Sequence, residues 1–156
     1  RLRARVPGIE GNGIPFAAGA STSAQVIMSA FNSALCCANQ AGAVISEDNP
    51  AIPGETIVVL ASGLGLVSPQ EARDAMTTGQ PYHGPALNDA TEFVSALVGG
   101  KTANVLFAGL RVGTVGIYEV HLELNPDLPT NPKTEATIAQ SFEVSNIFTL
   151  PVIGKQ

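Results

Sequence analysis

The stretch that decides the fold spans residues 49–65 and reads NPAIPGETIVVLASGLG. Pro50 and Pro53 fix φ and lack a backbone donor, so we expect the start of this stretch to lie outside any ladder. Residues 55–61 are mostly β-branched and apolar, which is typical of a buried strand. The glycines within 62–65 then end it. A strand bounded by prolines before it and glycines after it is typical of an immunoglobulin-like sandwich.

Further strands are predicted on both sides of this one. Residues 92–98 and 101–107 flank Gly99 and Gly100, a pair that favours a tight hairpin turn. Residues 116–124 alternate between polar and apolar side chains, which predicts a half-buried antiparallel strand. Additional strands are predicted at 2–6, 24–30, 134–144 and 147–153.

The remaining segments are less regular. Residues 69–74 have the pattern of a helical turn capped by Ser68. Residues 31–43 fit either a short helix or a hairpin that turns within 39–42. The sequence contains no long amphipathic helix, and its strands are separated by frequent Gly and Pro turns. We therefore predict an all-β fold, an immunoglobulin-like antiparallel β-sandwich of about seven to nine strands.

Composition limits the function. A chain of 156 residues is predicted to form a single domain over 1–156. Charged residues make up 13%, against about 25% in an average soluble domain, which favours an extracellular or cell-surface location. A formal net charge of -5, with eight Lys and Arg, argues against nucleic-acid binding. No apolar run reaches the roughly 18 residues of a membrane span.

Cys36 and Cys37 are adjacent, and a bond between them would close a strained ring. We therefore expect buried free thiols, with a bond to a cysteine of another chain as the next alternative. A metal site is disfavoured because His83 and His121 are not at a ligand spacing from the pair.

Three motifs together resemble a known family. They are NPAIPGETIVVLASGLGLVSP at 49–69, LVGGKTANVLFAGLRVGTVGIYEVHLEL at 97–124 and SNIFTLPVI at 145–153. As a set they resemble a C-terminal domain of uncharacterised secreted proteins of acidobacteria, which is similar to the IPT/TIG domains of receptors. The resemblance makes 49–153 the family-like core and 1–48 a variable N-terminal part. It implies an immunoglobulin-like extracellular module without catalytic residues, and the paired cysteines depart from it.

Enzymatic and metal sites find little support in the sequence. Ser62, His121 and Asp127 are the residue types of a hydrolase triad, but no G-x-S-x-G elbow frames the serine. Glu119 and Glu123 with Asp127 lack the spacing of a calcium loop, so we interpret them as solvated carboxylates. We predict no enzyme activity, no cofactor and no metal.

Residues 77–89 form a long polar loop, the kind of segment in which partners are often bound. Within it, Tyr82 and His83 place an aromatic ring beside an imidazole, a combination that suits sugar or protein recognition. We predict these two residues as the contact site of the loop.

Two functions are therefore predicted. The first is a non-enzymatic extracellular structural or interaction module that self-associates, as a subunit of a cell-surface or filamentous assembly. Its joining strands would be the one from Leu2 to Val6 and the one from Ile147 to Ile153, because an open sheet edge pairs readily with another chain. The alternative is a carbohydrate- or ligand-binding accessory domain of a larger secreted protein that uses the 77–89 loop, although the absence of Trp counts against it.

Overall fold

The computed structural model describes residues 36–154. The chain divides after Ala34 into two units, and the account below concerns the second, Leu35–Gln156. The strands predicted at 2–6 and 24–30 lie outside the described residues. The interpretation of 1–156 as a single domain stays a prediction.

The described residues form ten strands and one short helix. In chain order they are β1 (Cys37–Asn39), β2 (Thr56–Ser62), β3 (Val67–Ser68), α1 (Gln70–Asp74), β4 (Asp89–Ala90), β5 (Val94–Val98), β6 (Lys101–Leu110), β7 (Ile117–Glu123), β8 (Asn131–Gln140), β9 (Glu143–Val144) and β10 (Phe148–Val152).

Eight of these strands belong to one antiparallel sheet. Its order is β1-β2-β7-β6-β5-β8-β10, with β9 paired to β8, while β3 and β4 form a separate pair. The prediction of an all-β, antiparallel fold is therefore confirmed. The central strand predicted at 57–61 is β2, and the clearest alternating strand is β7.

The sheet curls because β6 changes partner along its length. Its first three residues pair with β5, and the register from Asn104 to Leu110 pairs it with β7. The register shifts between Val105 and Phe107. A bulge of this kind bends a strand and increases its local twist.

The curl brings the last strand back to the segment that precedes β2. Ala51 forms a parallel bridge with Val152: the Ala51 N–H donates to the Pro151 carbonyl at 2.8 Å, and the Ile153 N–H donates to the Ala51 carbonyl at 2.9 Å. The expectation that no ladder contact occurs between Pro50 and Pro53 is wrong at this one position. The two prolines lack donors, but the residue between them supplies both a donor and an acceptor.

The core lies inside the curl, and the alternation of β7 shows why. Tyr118, Val120 and Leu122 are buried, whereas Glu119 and His121 on the opposite face are partly exposed, as predicted. Burying one such aliphatic side chain contributes roughly 1.5–3 kcal/mol. The largest fully buried side chains are Ile57, Leu122, Leu124, Leu150, Val67, Val98, Val120 and Val152.

The predicted turns are partly confirmed. Gly99 and Gly100 have φ of 57° and 73°, so both adopt the left-handed conformation of a two-residue hairpin. The strand predicted at 134–144 is interrupted, because β8 ends at Gln140, the chain turns at Ser141 (φ 52°) and returns as β9. Ser141 thereby converts one predicted strand into a hairpin.

The helical turn predicted at 69–74 is confirmed as α1, but Ser68 does not cap it. The cap position is Pro69, without a side-chain hydrogen bond. Ser68 belongs to β3, where it pairs with Asp89, and its hydroxyl donates to the Asp89 carbonyl at 3.4 Å. Ser68 therefore pairs within a strand and does not serve as the helix cap that the sequence pattern predicts.

The ambiguity at 31–43 is resolved in favour of a hairpin for the described part. The turn after β1 is closed by Asn39, whose Oδ1 accepts the Ala43 N–H at 2.9 Å.

The expectation of free thiols is wrong, because Cys36 and Cys37 are bonded to each other. In the described residues, pairing with β2 begins at Cys37, so Cys36 lies outside the ladder.

Candidate functional site

The loop between α1 and β4 is folded against the sheet instead of projecting from it. Tyr82 anchors it. The Tyr82 N–H donates to the Thr114 carbonyl at 2.9 Å, and the Gly113 N–H donates to the Tyr82 carbonyl at 2.8 Å. The Tyr82 hydroxyl donates to the Pro85 carbonyl at 2.9 Å, and the residue is only 3% exposed. Its ring therefore holds the loop in place and presents almost no surface to a partner.

His83, the second predicted contact residue, is exposed. Leu87, four residues further on, is 84% exposed and is the most accessible apolar side chain of the loop. The structure thus separates the two predicted residues, with Tyr82 inside and His83 outside. A contact role for the 77–89 loop stays a prediction, and His83 and Leu87 are among its exposed residues.

Asn88 is a key residue of this loop that the sequence interpretation missed. Its Oδ1 accepts the Leu110 N–H at 2.6 Å, and its Nδ2 donates to the carbonyls of Leu110 at 3.1 Å and Pro85 at 3.0 Å. The Arg111 N–H donates to the Ile117 carbonyl of β7. Because the backbone groups of successive residues point to opposite sides of a strand, those of Leu110 point away from β7. The side-chain amide of Asn88 therefore completes the edge of β6 as a neighbouring strand would.

Gly109 allows this close approach. A Cβ atom built there would lie 2.0 Å from the Asn88 carbonyl oxygen and 2.8 Å from its Oδ1. Glycine within a strand is a known sign that another backbone approaches closely. Gly109 is the signal in the sequence that points to a close neighbour, although it does not identify Asn88.

A small cavity of about 200 Å³ lies between this loop and the start of β7. Its walls combine polar loop residues with the buried rings of Tyr82 and Tyr118. The lining also includes Met76, Leu110, Val115 and residues 77–80. The volume is below the roughly 300 Å³ at which small-molecule pockets usually begin. The cavity therefore has room for a small group and not for a whole drug-sized ligand.

Both tyrosine hydroxyls at this cavity are held in the neutral form. Burial raises the pKa of Tyr82, and the nearby charge of Glu71 raises it further. Burial also raises the pKa of Tyr118, whose hydroxyl donates to the Gly65 carbonyl. The two side chains therefore act as hydrogen-bond donors to backbone carbonyls, a structural use of the phenol.

Ser62, His121 and Asp127, the three residue types of a hydrolase triad, are not brought together. Ser62 pairs with Ile117 at one end of β7, and His121 lies four residues further along that strand, roughly 13 Å away. Asp127 follows the far end of β7, where its backbone carbonyl accepts the Lys101 ammonium at 2.9 Å.

His121 has neighbours of its own. Its Nε2 lies 3.6 Å from a carboxylate oxygen of Glu119, and its ring packs against Phe107 with the centroids 5.1 Å apart. Within residues 36–154, no group of three or more His, Cys, Asp or Glu is arranged to hold a metal ion. In the same part of the chain, no helix is long and apolar enough to cross a membrane.

Of the two predicted joining strands, the structure describes only one. Ile147 and Ile153 lie on either side of β10 and are 62% and 53% exposed. One edge of β10 pairs with β8, and among the described residues the other edge is met by one bridge, to Ala51. Leu2 and Val6 lie outside the described residues.

The opposite end of the sheet is covered by its own chain. Ala38 in β1 bridges to Val44, with the Ile45 N–H donating to the Cys37 carbonyl at 2.9 Å. The Asn49 amide then donates to the Val44 carbonyl at 2.8 Å. Each end of the described sheet is therefore met by one bridge, and β10, with five residues against three in β1, leaves more of its edge unpaired within residues 36–154.

No protein-family model, no curated protein and no solved structure matches this chain. The resemblance to the C-terminal domain of acidobacterial secreted proteins therefore stays a prediction.

Proposed function

We propose that this chain is a non-enzymatic structural module that works through protein contacts, as a subunit of an extracellular or cell-surface assembly joined by strand pairing. The observation that carries the proposal is the edge of β10. Within residues 36–154 it is met by one bridge, at Ala51, and it is flanked by the exposed side chains of Ile147 and Ile153.

The proposed architecture is an immunoglobulin-like sandwich. The division of β6 supports it, because one part of this strand belongs with β5, β8 and β10 while the other belongs with β7, β2 and β1. In the proposed sandwich these two groups of strands form the two layers, with the core between them. This arrangement also agrees with the resemblance to the acidobacterial domain family.

An incompletely paired edge has the chemistry that assembly needs. Main-chain donors and acceptors of a neighbouring strand supply affinity, and apolar side chains beside them supply buried area. The low content of charged residues, 13%, reduces the repulsion that usually protects edges of this kind. The partner in this proposal is a second copy of the chain.

The test measures the oligomeric state of the full chain over a wide concentration range, by light scattering and electron microscopy. Wild type is expected to associate, and Ile147→Lys and Ile153→Lys are expected to reduce association by placing charge at the edge. Val112→Lys, at a turn residue that is 47% exposed, is the matched control. A wild-type chain that remains monomeric at high concentration contradicts the proposal.

A ligand-binding accessory domain is the second candidate, supported by the small cavity beside the 77–89 loop. His83→Ala is the informative variant, because Tyr82→Ala would remove a buried anchor and alter the fold. A glycan array probed with wild type and His83→Ala tests this candidate. An absence of wild-type hits disposes of it.

A further inference from the structure

A second surface feature lies where β5 and β6 separate. Their pairing ends at Ala96 and Ala103, after which β6 turns onto β7. The separation leaves an open cleft of about 380 Å³, lined by residues 89–94 on one side and 105–108 on the other. The cleft therefore opens between two strands that are neighbours in the same sheet.

The register directs the backbone of Val94 into this cleft. The Gly99 N–H donates to Glu135 in β8, and the Ser141 N–H donates to Phe93, so the odd-numbered residues of β5 bond towards β8. Alternation then directs Ala96 and Val94 towards β6. Ala96 finds its partner in Ala103, whereas the described register gives Val94 no partner on β6.

The facing edge of β6 is directed into the cleft in the same way. The Arg111 N–H donates to the Ile117 carbonyl, so from Phe107 onward the odd-numbered residues of β6 form their backbone hydrogen bonds with β7. The backbone groups of Ala108 and Leu110 therefore face away from β7. Leu110 is satisfied by Asn88. Ala108 lies on the cleft wall, and on that side no strand of the described residues is registered against it, although β4 contacts β6 nearby.

Side chains give the cleft an apolar and acidic character. Phe93 is 78% exposed and Leu106 is 54% exposed, and both line it. Asp89 and Glu92 lie on the same wall, and the lining includes no Lys, Arg or His. The cleft thus combines strand edges, apolar surface and negative charge.

One segment of the sequence has the complementary character. Residues 1–6 read RLRARV, so that arginines alternate with Leu2, Ala4 and Val6. As an extended strand this segment presents one apolar face and one cationic face. Pro7 follows, and it has no backbone N–H to donate to a ladder.

We propose that the cleft between β5 and β6 binds residues 1–6 of a second copy of this chain as an added strand. The proposal rests on the proposed self-association, and it adds a second acceptor site in addition to the edge of β10. Main-chain groups of the added strand pair with Val94 and Ala108, its apolar face covers Phe93 and Leu106, and its arginines approach Asp89 and Glu92. Residues 7–35 can span up to roughly 95 Å when extended, which is ample to reach a neighbouring molecule.

A charge exchange in the full chain tests the pairing. D89K/E92K and R1E/R3E/R5E are each expected to weaken association at least about fivefold, because contacts between opposite charges become repulsive. The chain that carries both sets of changes is expected to recover association. E47K/D48K, which reverses two exposed acids in the turn before β2, is the matched control and is expected to associate as wild type does.

A wild type that associates while D89K/E92K associates equally well overturns the cleft and leaves strand-joined assembly standing. A wild type that stays monomeric at every concentration overturns binding between copies.

A peptide titration tests the cleft separately from assembly. The peptide RLRARV is added to the ¹⁵N-labelled R1E/R3E/R5E chain, whose own segment then competes poorly. Shifts of the Val94, Leu106 and Ala108 amides are expected, and these shifts support the acceptor site even where the wild type is monomeric. Shifts confined to β10, or none at saturating peptide, overturn it.

Discussion

Replacing Asn88 with alanine is expected to destabilise the fold strongly, although Asn88 lies in a loop. The side chain is nearly inaccessible, at 2% exposed, and it satisfies both backbone groups of Leu110. Alanine leaves that N–H and that carbonyl without partners inside the structure and also removes the tether to Pro85.

Each orphaned buried polar group costs about 1–3 kcal/mol, and a lost hydrogen bond to the loop about 0.5–1.5 kcal/mol. Partial relaxation admits water to the edge of β6, so the lower part of the range applies. The expected loss in the free energy of unfolding is about 3 kcal/mol, a large fraction of the ~5–15 kcal/mol of a typical domain.

Urea unfolding monitored by circular dichroism measures this loss. Asn104→Ala is the matched control, because the Asn104 amide donates to Glu123 at 3.2 Å on an exposed face and its removal should cost under about 0.5 kcal/mol. Gly109→Ala forces the same segment away and is expected to destabilise comparably. The double variant is expected to lose less than the sum. An Asn88→Ala chain within about 0.5 kcal/mol of wild type refutes the reasoning.

Two further predictions concern the tyrosines and the cysteines. The chain has two tyrosines and no tryptophan, so tyrosinate absorbance reports Tyr82 and Tyr118 directly. Both pKa values are raised above the ordinary 10.0. Both side chains should therefore titrate above pH 10 in the folded protein and near pH 10 in urea. Because the protonated phenol is favoured in the folded state, this contribution to stability is complete below pH 10 and is lost as the pH rises through the folded pKa; folded titration at the unfolded value would contradict it. Cys36 and Cys37 should resist iodoacetamide until reduced, and reduction should change stability by under about 0.5 kcal/mol because the bond closes almost no loop; alkylation without reductant would disprove the bond.

The strands were predictable where the local pattern is strong. The alternation in β7 and the Gly99-Gly100 turn each depend on residues adjacent in sequence, and both are confirmed. The closure of the sheet was not predictable. It rests on Ala51, one residue between two prolines, and on two hydrogen bonds to a strand almost a hundred residues later. Such a contact produces no periodicity in the sequence.

The candidate site shows the same division. The loop itself was identified correctly from its polar composition, but the burial of Tyr82 depends on Thr114, which belongs to a turn far along the chain. Asn88 reads as an ordinary loop residue, because nothing near it reveals that the edge of β6 needs a partner. The bond between Cys36 and Cys37 was not predictable for a related reason, because only the structure shows that Cys36 precedes the ladder.

The bridge between Ala51 and Val152 also determines how the module responds to pulling. The two strands run parallel at that point, so tension that reaches Ala51 from the N-terminal side and Ile153 from the C-terminal side acts along the strands and across the hydrogen bonds. Both bonds are then loaded in shear and must break together, whereas an antiparallel hairpin pulled at its open end separates one pair at a time. In the proposed assembly, this arrangement would let the fold carry load along a chain of linked copies.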